Sequence, residues 1–249
     1  SACLVGSEMC IRDRIYTTTM KAITGKHFKK AFGETLLRIR EHMHNLSIKR
    51  LNGLYKSLPE PKFVSQFSNA NPEKIKKFYG KINDIEAAKR FGAKDVSEYS
   101  YWAWRSCGVA ALLSILRAHK VDGKLKIMDL INEGKLINGY EFKNDIGWKH
   151  NSLRKIAKSR GIKAKCIKFA PLQLIAKQIV SGNTVLLSVI SKSGGHLVLV
   201  HGVEIEKGEI TNFRIIDPNS CNRGDYIFRN KDLLKKSTNR IIVFEGRQG

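Results

Sequence analysis

The sequence predicts an α+β fold in which a helical half carrying a cysteine packs on an antiparallel sheet carrying a histidine and an aspartate. Three observations predict it. Past residue 183 the apolar period changes from 3.6 to 2. Upstream, Val109, Ala110, Ala111, Leu112, Leu113, Ile115 and Leu116 form a helix start apolar on all sides, as at the centre of a domain. Finally, Glu206-Lys207-Gly208 is a tight turn joining two strands, which makes them antiparallel neighbours.

The elements follow in order. Val5 to Arg14 resembles translated sequencing-adapter text, so residues 1–14 are set aside as non-native and the native N-terminus is expected upstream. Residues 15–96 are expected to form a helical extension and residues 97–249 the main domain. Within the extension, Leu36, Ile39, Met43, Leu46, Ile48, Leu51, Leu54, Tyr55 and Leu58 recur at helical spacing. They predict one long helix, or two broken near Ser47, ended by Pro59 and Pro61. A linker over 59–72 leads to a second helix starting at Asn71-Pro72-Glu73, with Ala87–Phe91 continuing the pattern and Gly92 as its stop. By position and amphipathicity these helices are expected to cover the cleft, so deleting residues 15–70 should raise activity.

In the main domain helices are predicted from Cys107 to about His119, over Lys126–Glu133 and over Asn151–Ser159. Ile162–Phe169 alternates as a strand, and Leu172–Val180 is an amphipathic helix. Thr184–Ile190, His196–Ile205, Glu209–Ile216, Tyr226–Phe228 and Ile241–Glu245 read as strands, with Asn230–Ser237 a helix before the last.

Composition bounds the function. The 249 residues are 42% hydrophobic and 27% charged, enough for a folded core, and no apolar run reaches membrane-spanning length. The net charge of +23 attracts polyanions, although the lysines are spread along the chain as on solvated helix faces. Outside the first 14 residues only Cys107, Cys166 and Cys221 remain. They have neither disulfide-framework nor metal-ligand spacing, so no metal or cofactor is expected. Reduced thiols fit a cytoplasmic setting, while export stays open because unpaired catalytic cysteines also occur in exported hydrolases.

Three residues stand out chemically. Cys107 opens the apolar helix, where unpaired N–H groups and the helix dipole stabilise a thiolate, and Gly108 leaves room for a substrate carbonyl. Alone, Cys107 reads equally well as a structural thiol. His196 follows Gly194-Gly195 at the start of a strand whose alternation puts 196, 198 and 200 on one face and 197, 199 and 201 on the other. His201 therefore cannot share its site and reads as a core histidine. Asp217 ends the next strand, so the hairpin sets it beside His196, where a carboxylate can hold an imidazole in one tautomer.

Ser106-Cys107-Gly108, then Gly194-Gly195-His196-Leu197-Val198-Leu199-Val200-His201-Gly202, then Ile216-Asp217-Pro218, resemble the bacteriocin-processing type of papain-like cysteine peptidase, peptidase family thirty-nine. The resemblance covers about residues 97–246. It implies a papain-like fold with Cys107 as nucleophile, His196 as general base then acid, and Asp217 as orienting carboxylate. It also implies an oxyanion-hole glutamine about six residues before the Cys, where this chain has Tyr101. Gln66, in Val64-Ser65-Gln66-Phe67, has a similar context but lies 41 residues upstream, and serves only if residues 68–100 form an excursion. The backbone of Cys107 with Gln66 or Tyr101 is thus the expected oxyanion hole, and Trp102, Trp104, Gly108 and Gly195 are expected along the cleft. The expected activity is hydrolysis of a peptide or protein substrate through a thioester. An amidase or acyl-transfer enzyme with the same triad, and a catalytically silent polyanion-binding module, are the alternatives.

Overall fold

The computed structural model describes residues 29–75, 79–121, 123–191, 194–220 and 224–246. Helices α1 (residues 29–48), α2 (Ile85–Phe91), α3 (Val96–Ala103), α4 (Cys107–Ala118), α5 (Ile127–Leu136) and α6 (His150–Lys158) make up most of the first half. Strand β1 (Gly53–Lys56) and the short pair β2 (Tyr140–Glu141) and β3 (Gly147–Trp148) lie among them. The second half holds β4 (Ala164–Lys168), α7 (Leu172–Val180), β5 (Thr184–Ser191), β6 (Gly194–Glu206), β7 (Glu209–Ile216), β8 (Asp225–Arg229), α8 (Asn230–Lys236) and β9 (Ser237–Phe244). The expected α+β class is observed. Cys10 and Cys221 lie outside the described residues.

The strands form an antiparallel sheet in the order β4-β9-β5-β6-β7-β8, with β1 also on β6. Alternation along each strand sorts its apolar residues onto two faces. Leu186, Leu197, Leu199, Ile216, Ile242 and Phe244 face the helical half and share a core with α4, α5 and α6. Val185, Leu187, Val198, Val200, Ile215 and Val243 face the other way, onto α7 and Leu233 of α8. Helix α4 sits at the centre of the first core: Val109, Leu112, Leu113, Ile115 and Leu116 are all at most 1% exposed. At about 1.5–3 kcal/mol per buried side chain, this anchoring holds the helix start, and Cys107 with it, against the sheet.

The first hundred residues depart from expectation. The helix ends at residue 48 instead of continuing to Leu58, because Gly53 (φ +122) leaves helical conformation and Gly53–Lys56 pair with Gly202–Ile205. Strand β5 covers β6 only as far as Val200, which leaves the edge that β1 occupies. A tertiary partner thus overrides the helical spacing of Leu51, Leu54 and Leu58. The helix expected at Pro72 is a single turn over Pro72–Lys74, whereas Asp84 caps α2 through the Ala87 amide and Gly92 ends it in left-handed conformation. Helix α3, not expected, is capped by Asp95.

The division at residue 97 does not match the packing. Phe67, Ala70, Ile82, Ala87 and Phe91 belong to the same core as α4. Helix α1 packs on the far face: Ile48 joins the second core, and the Arg40 guanidinium donates to the carbonyls of Lys168 (2.6 Å) and Phe169 (3.2 Å).

Candidate active site

Cys107 is the first residue of α4, and its cap residue Ser106 makes no side-chain bond to the helix amides. The Ser106 hydroxyl instead donates to the carbonyls of Gln66 and Ala103, each at 3.4 Å. The helix N-terminus is therefore left to the thiol, whose charged form is favoured by the Gly108 amide and by the Leu197 amide of β6. That second amide is free because β7 pairs with β6 only from Leu199 onward, so residues 194–198 present an open edge.

His196 shares that open stretch, with its ring directed to both partners. Its Nε2 lies 2.6 Å from Oδ1 of Asp217, and the Cys107 thiol is near enough for thiolate and imidazolium to stabilise each other's charge. With Nε2 taken by the carboxylate, Nδ1 is the nitrogen left for sulfur. Asp217 is fixed in turn by three donors: the His196 ring, the Asn219 amide (2.9 Å to Oδ1) and the Tyr226 hydroxyl (2.7 Å to Oδ2).

Burial disfavours every charge here, yet each group is driven toward its charged form. Burial raises the Cys107 thiol, but the charge and hydrogen bond of His196 and the two amides outweigh it and leave the thiol below its ordinary value. Burial lowers His196, while the charge on Cys107 and the bonds to Asp217 and Cys107 raise it to about 10. Burial likewise works against the Asp217 carboxylate, and the bond and charge of His196, with Asn219 and Tyr226, hold it below the usual carboxylate range. The arrangement favours a thiolate–imidazolium pair backed by a carboxylate, the state that gives a cysteine nucleophilic character near neutrality.

Gln66 is brought to this site from far upstream. It is 2% exposed, its amide donates to the Pro218 carbonyl (2.9 Å) just past Asp217, and its own carbonyl accepts from Ser106 just before Cys107. The Ser65 hydroxyl adds a bond to the Ser220 carbonyl (2.7 Å). Residues 65–66 thus bridge the two halves of the site. The intervening chain is an excursion closed at its base: the Tyr99 hydroxyl donates to the Phe67 carbonyl (2.8 Å), and the Trp104 ring meets Phe67 edge-on with centroids 5.0 Å apart. The Gln66 side-chain Oε1 is buried with no hydrogen-bond partner among the described residues.

Tyr101 occupies a different place. It is 43% exposed and its ring stacks under the Arg105 guanidinium, 4.1 Å from ring centroid to carbon, so it is committed to that cation rather than to the nucleophile. Trp102 is a correction as well: it is 5% exposed and packs among Tyr140, Phe142 and Trp148 in the first core. Trp104 is half-buried between Phe67 and Tyr79. Gly108 is closely packed, since a Cβ there would meet Leu197 Cδ1 at 2.7 Å and Leu153 Cδ1 at 3.1 Å. Gly195 is exposed beside His196 with open space where a Cβ would lie. His201 is 1% exposed, with Nε2 3.1 Å from Oδ1 of Asp225, and stands apart from His196.

Sequence reasoning overlooked Tyr226 and Arg105. Tyr226 sits opposite Ile215 in the β7–β8 ladder, so only strand register sets it on the Asp217 side of the sheet. Arg105, two residues before the nucleophile, forms a two-point ion pair with Asp145 (3.0 and 2.6 Å), and its carbonyl accepts from the Trp148 indole (2.8 Å). Its partners come from forty positions downstream, with no local signature. Among the described residues, no group of three His, Cys, Asp or Glu is placed to hold a metal ion, and no helix is long and apolar enough to cross a membrane.

No protein-family profile and no curated protein matches the chain. Solved structures do resemble it. The peptidase domain of Streptococcus ComA, a bifunctional ABC transporter in quorum sensing, aligns at 18% identity and TM-score 0.45 over 57% of this chain and 93% of its own. A family-thirty-nine-like peptidase from Bacillus anthracis aligns at 15% and 0.44, over 58% and 90%. A double-glycine-motif protease from an AMS/PCAT transporter, in complex with the leader peptide, aligns at 16% and 0.41, over 57% and 85%. Each of these alignments covers rather more than half of this chain.

Proposed function

We propose that the protein is a cysteine peptidase that hydrolyses peptide bonds through a thioester, with Cys107, His196 and Asp217 as its catalytic residues. The observation that supports this reading is the His196 ring, held by Asp217 at 2.6 Å, beside a Cys107 thiol at the start of α4, with the thiol and the ring each drawn toward its charged form. The thiolate attacks the carbonyl carbon and the carbonyl electron pair moves onto oxygen. The Cys107 amide and the Gln66 side-chain amide stabilise that oxyanion. Imidazolium then gives its proton to the departing nitrogen as the C–N bond breaks. Water attacks the thioester, His196 takes its proton, and the thiolate leaves to regenerate the pair. Asp217 keeps the imidazole in the orientation both steps need.

The test is labelling of Cys107 by iodoacetamide together with cleavage of a peptide library. Wild type should be labelled rapidly and should cleave, whereas His196→Ala should be labelled slowly and should not. Labelling with turnover of small amides only would favour an amidase or acyl-transfer enzyme. Absence of labelling, with salt-sensitive binding of nucleic acid, would favour the polyanion-binding module.

A further inference from the structure

A cavity of about 320 Å³ opens beside the His196–Asp217 pair on the sheet face away from α4. Its walls are Val189, Val198, Phe228 and Leu233, with Ile190 at the rim and Lys236 at the mouth. Val198 and Leu233 are 4% and 1% exposed within the second core, so the floor is rigid and pre-formed. Ile190 is 61% exposed, a large apolar side chain left in water at the entrance. His196, Asp217 and Tyr226 form the remaining side, whereas Cys107 and Gln66 are not among the described residues that line it.

That asymmetry assigns the cavity to one half of a substrate. The acyl part becomes bonded to Cys107 and its oxygen faces the oxyanion donors. The departing nitrogen receives its proton from His196 and so lies on the ring's side. A side chain on the first residue released then lies nearest the cavity, and the apolar walls favour one that gains by leaving water. We propose that this cavity is a leaving-group subsite accepting a bulky aliphatic or aromatic side chain, which rests on the peptidase reading above. Lys236, whose Nζ lies 4.9 Å from the Phe228 ring, adds a cation at the mouth that disfavours a basic side chain there.

The test uses the Cys107→Ala chain, in which no turnover intervenes, titrated with phenylalaninamide and glycinamide and followed by NMR. Phenylalaninamide should half-saturate at a concentration at least about ten-fold lower, and Ile190→Asp in the same background should abolish the difference while keeping the thermal midpoint. Equal affinity for the two amides overturns the proposal. Iodoacetamide labelling of the wild-type chain separates the two readings. Discrimination without labelling leaves an apolar binding cavity but sinks the peptidase and with it the leaving-group role, whereas labelling without discrimination sinks the subsite alone.

Discussion

Replacing Gln66 by Ala removes a buried side-chain amide from a residue whose backbone links the Asp217 loop to the start of α4. The backbone bonds of residue 66, to Pro218 and from Ser106, do not depend on the side chain and should survive the change. Its Oε1 has no partner among the described residues, so little hydrogen bonding is lost. Stability should then change mainly through the cavity left by a buried side chain, about 1–3 kcal/mol. Loss of an oxyanion donor acts on the barrier instead, by roughly 100- to 1000-fold in kcat, or about 2.7–4 kcal/mol. The assay pairs kcat on a cleaved peptide with the iodoacetamide rate at Cys107, because alkylation builds no oxyanion. The variant should lose kcat by that factor and keep its alkylation rate within about three-fold. A kcat within about five-fold of wild type, or an alkylation rate that falls as far as kcat, would refute the assignment.

Other expectations follow from the same geometry. Because His196 holds the Cys107 thiol below its ordinary value, thiolate persists as pH falls; in His196→Ala the thiol returns to ordinary behaviour, and alkylation near pH 6.5 should drop on the order of 100-fold. Peptide hydrolysis should also fall on the alkaline side near the His196 value of about 10, since neutral imidazole cannot protonate the departing amine; a profile still rising there would count against the ion pair. Tyr226→Phe removes one of the donors that lower Asp217, so the carboxyl should titrate higher, with the acid limb of kcat/KM moving up and kcat falling roughly ten-fold at unchanged KM. Gly108→Ala forces a Cβ against Leu197 and should cost about 1–3 kcal/mol, read as a lower Tm. Removing residues 1–50 should leave a folded protein, whereas removal through residue 70 deletes β1 and Gln66 and should abolish the fold or the activity; higher activity in the longer truncation would restore the expectation of a covering segment.

Much of this protein is legible in the chain. Helix α4 announces itself by an apolar run with no polar face, and the alternation of residues 196–205 separates His196 from His201 because a strand's side chains must point to opposite faces. The Glu206-Lys207-Gly208 turn then forces β7 back along β6, so His196 and Asp217 become neighbours through local geometry alone. These readings rest on short-range rules, in which period and turn chemistry act between residues close in the chain.

Only the tertiary structure decided what depends on distant partners. Residues 51–58 have helical spacing, yet Gly53–Lys56 within them form β1, because the uncovered half of β6 offers backbone hydrogen bonds that a solvated helix end cannot match. Gly108 looks like room for a substrate, and the fold packs the Leu197 and Leu153 side-chain ends close against it. Gln66 reaches the site from 41 positions upstream because the excursion of residues 68–100 closes on itself at Phe67, Tyr99 and Trp104. Tyr226 reaches Asp217 through strand register. The local order of residues singled out Cys107, His196 and Asp217. The packing of separate segments decided which groups surround them, since contacts between distant segments leave no periodic trace in the sequence.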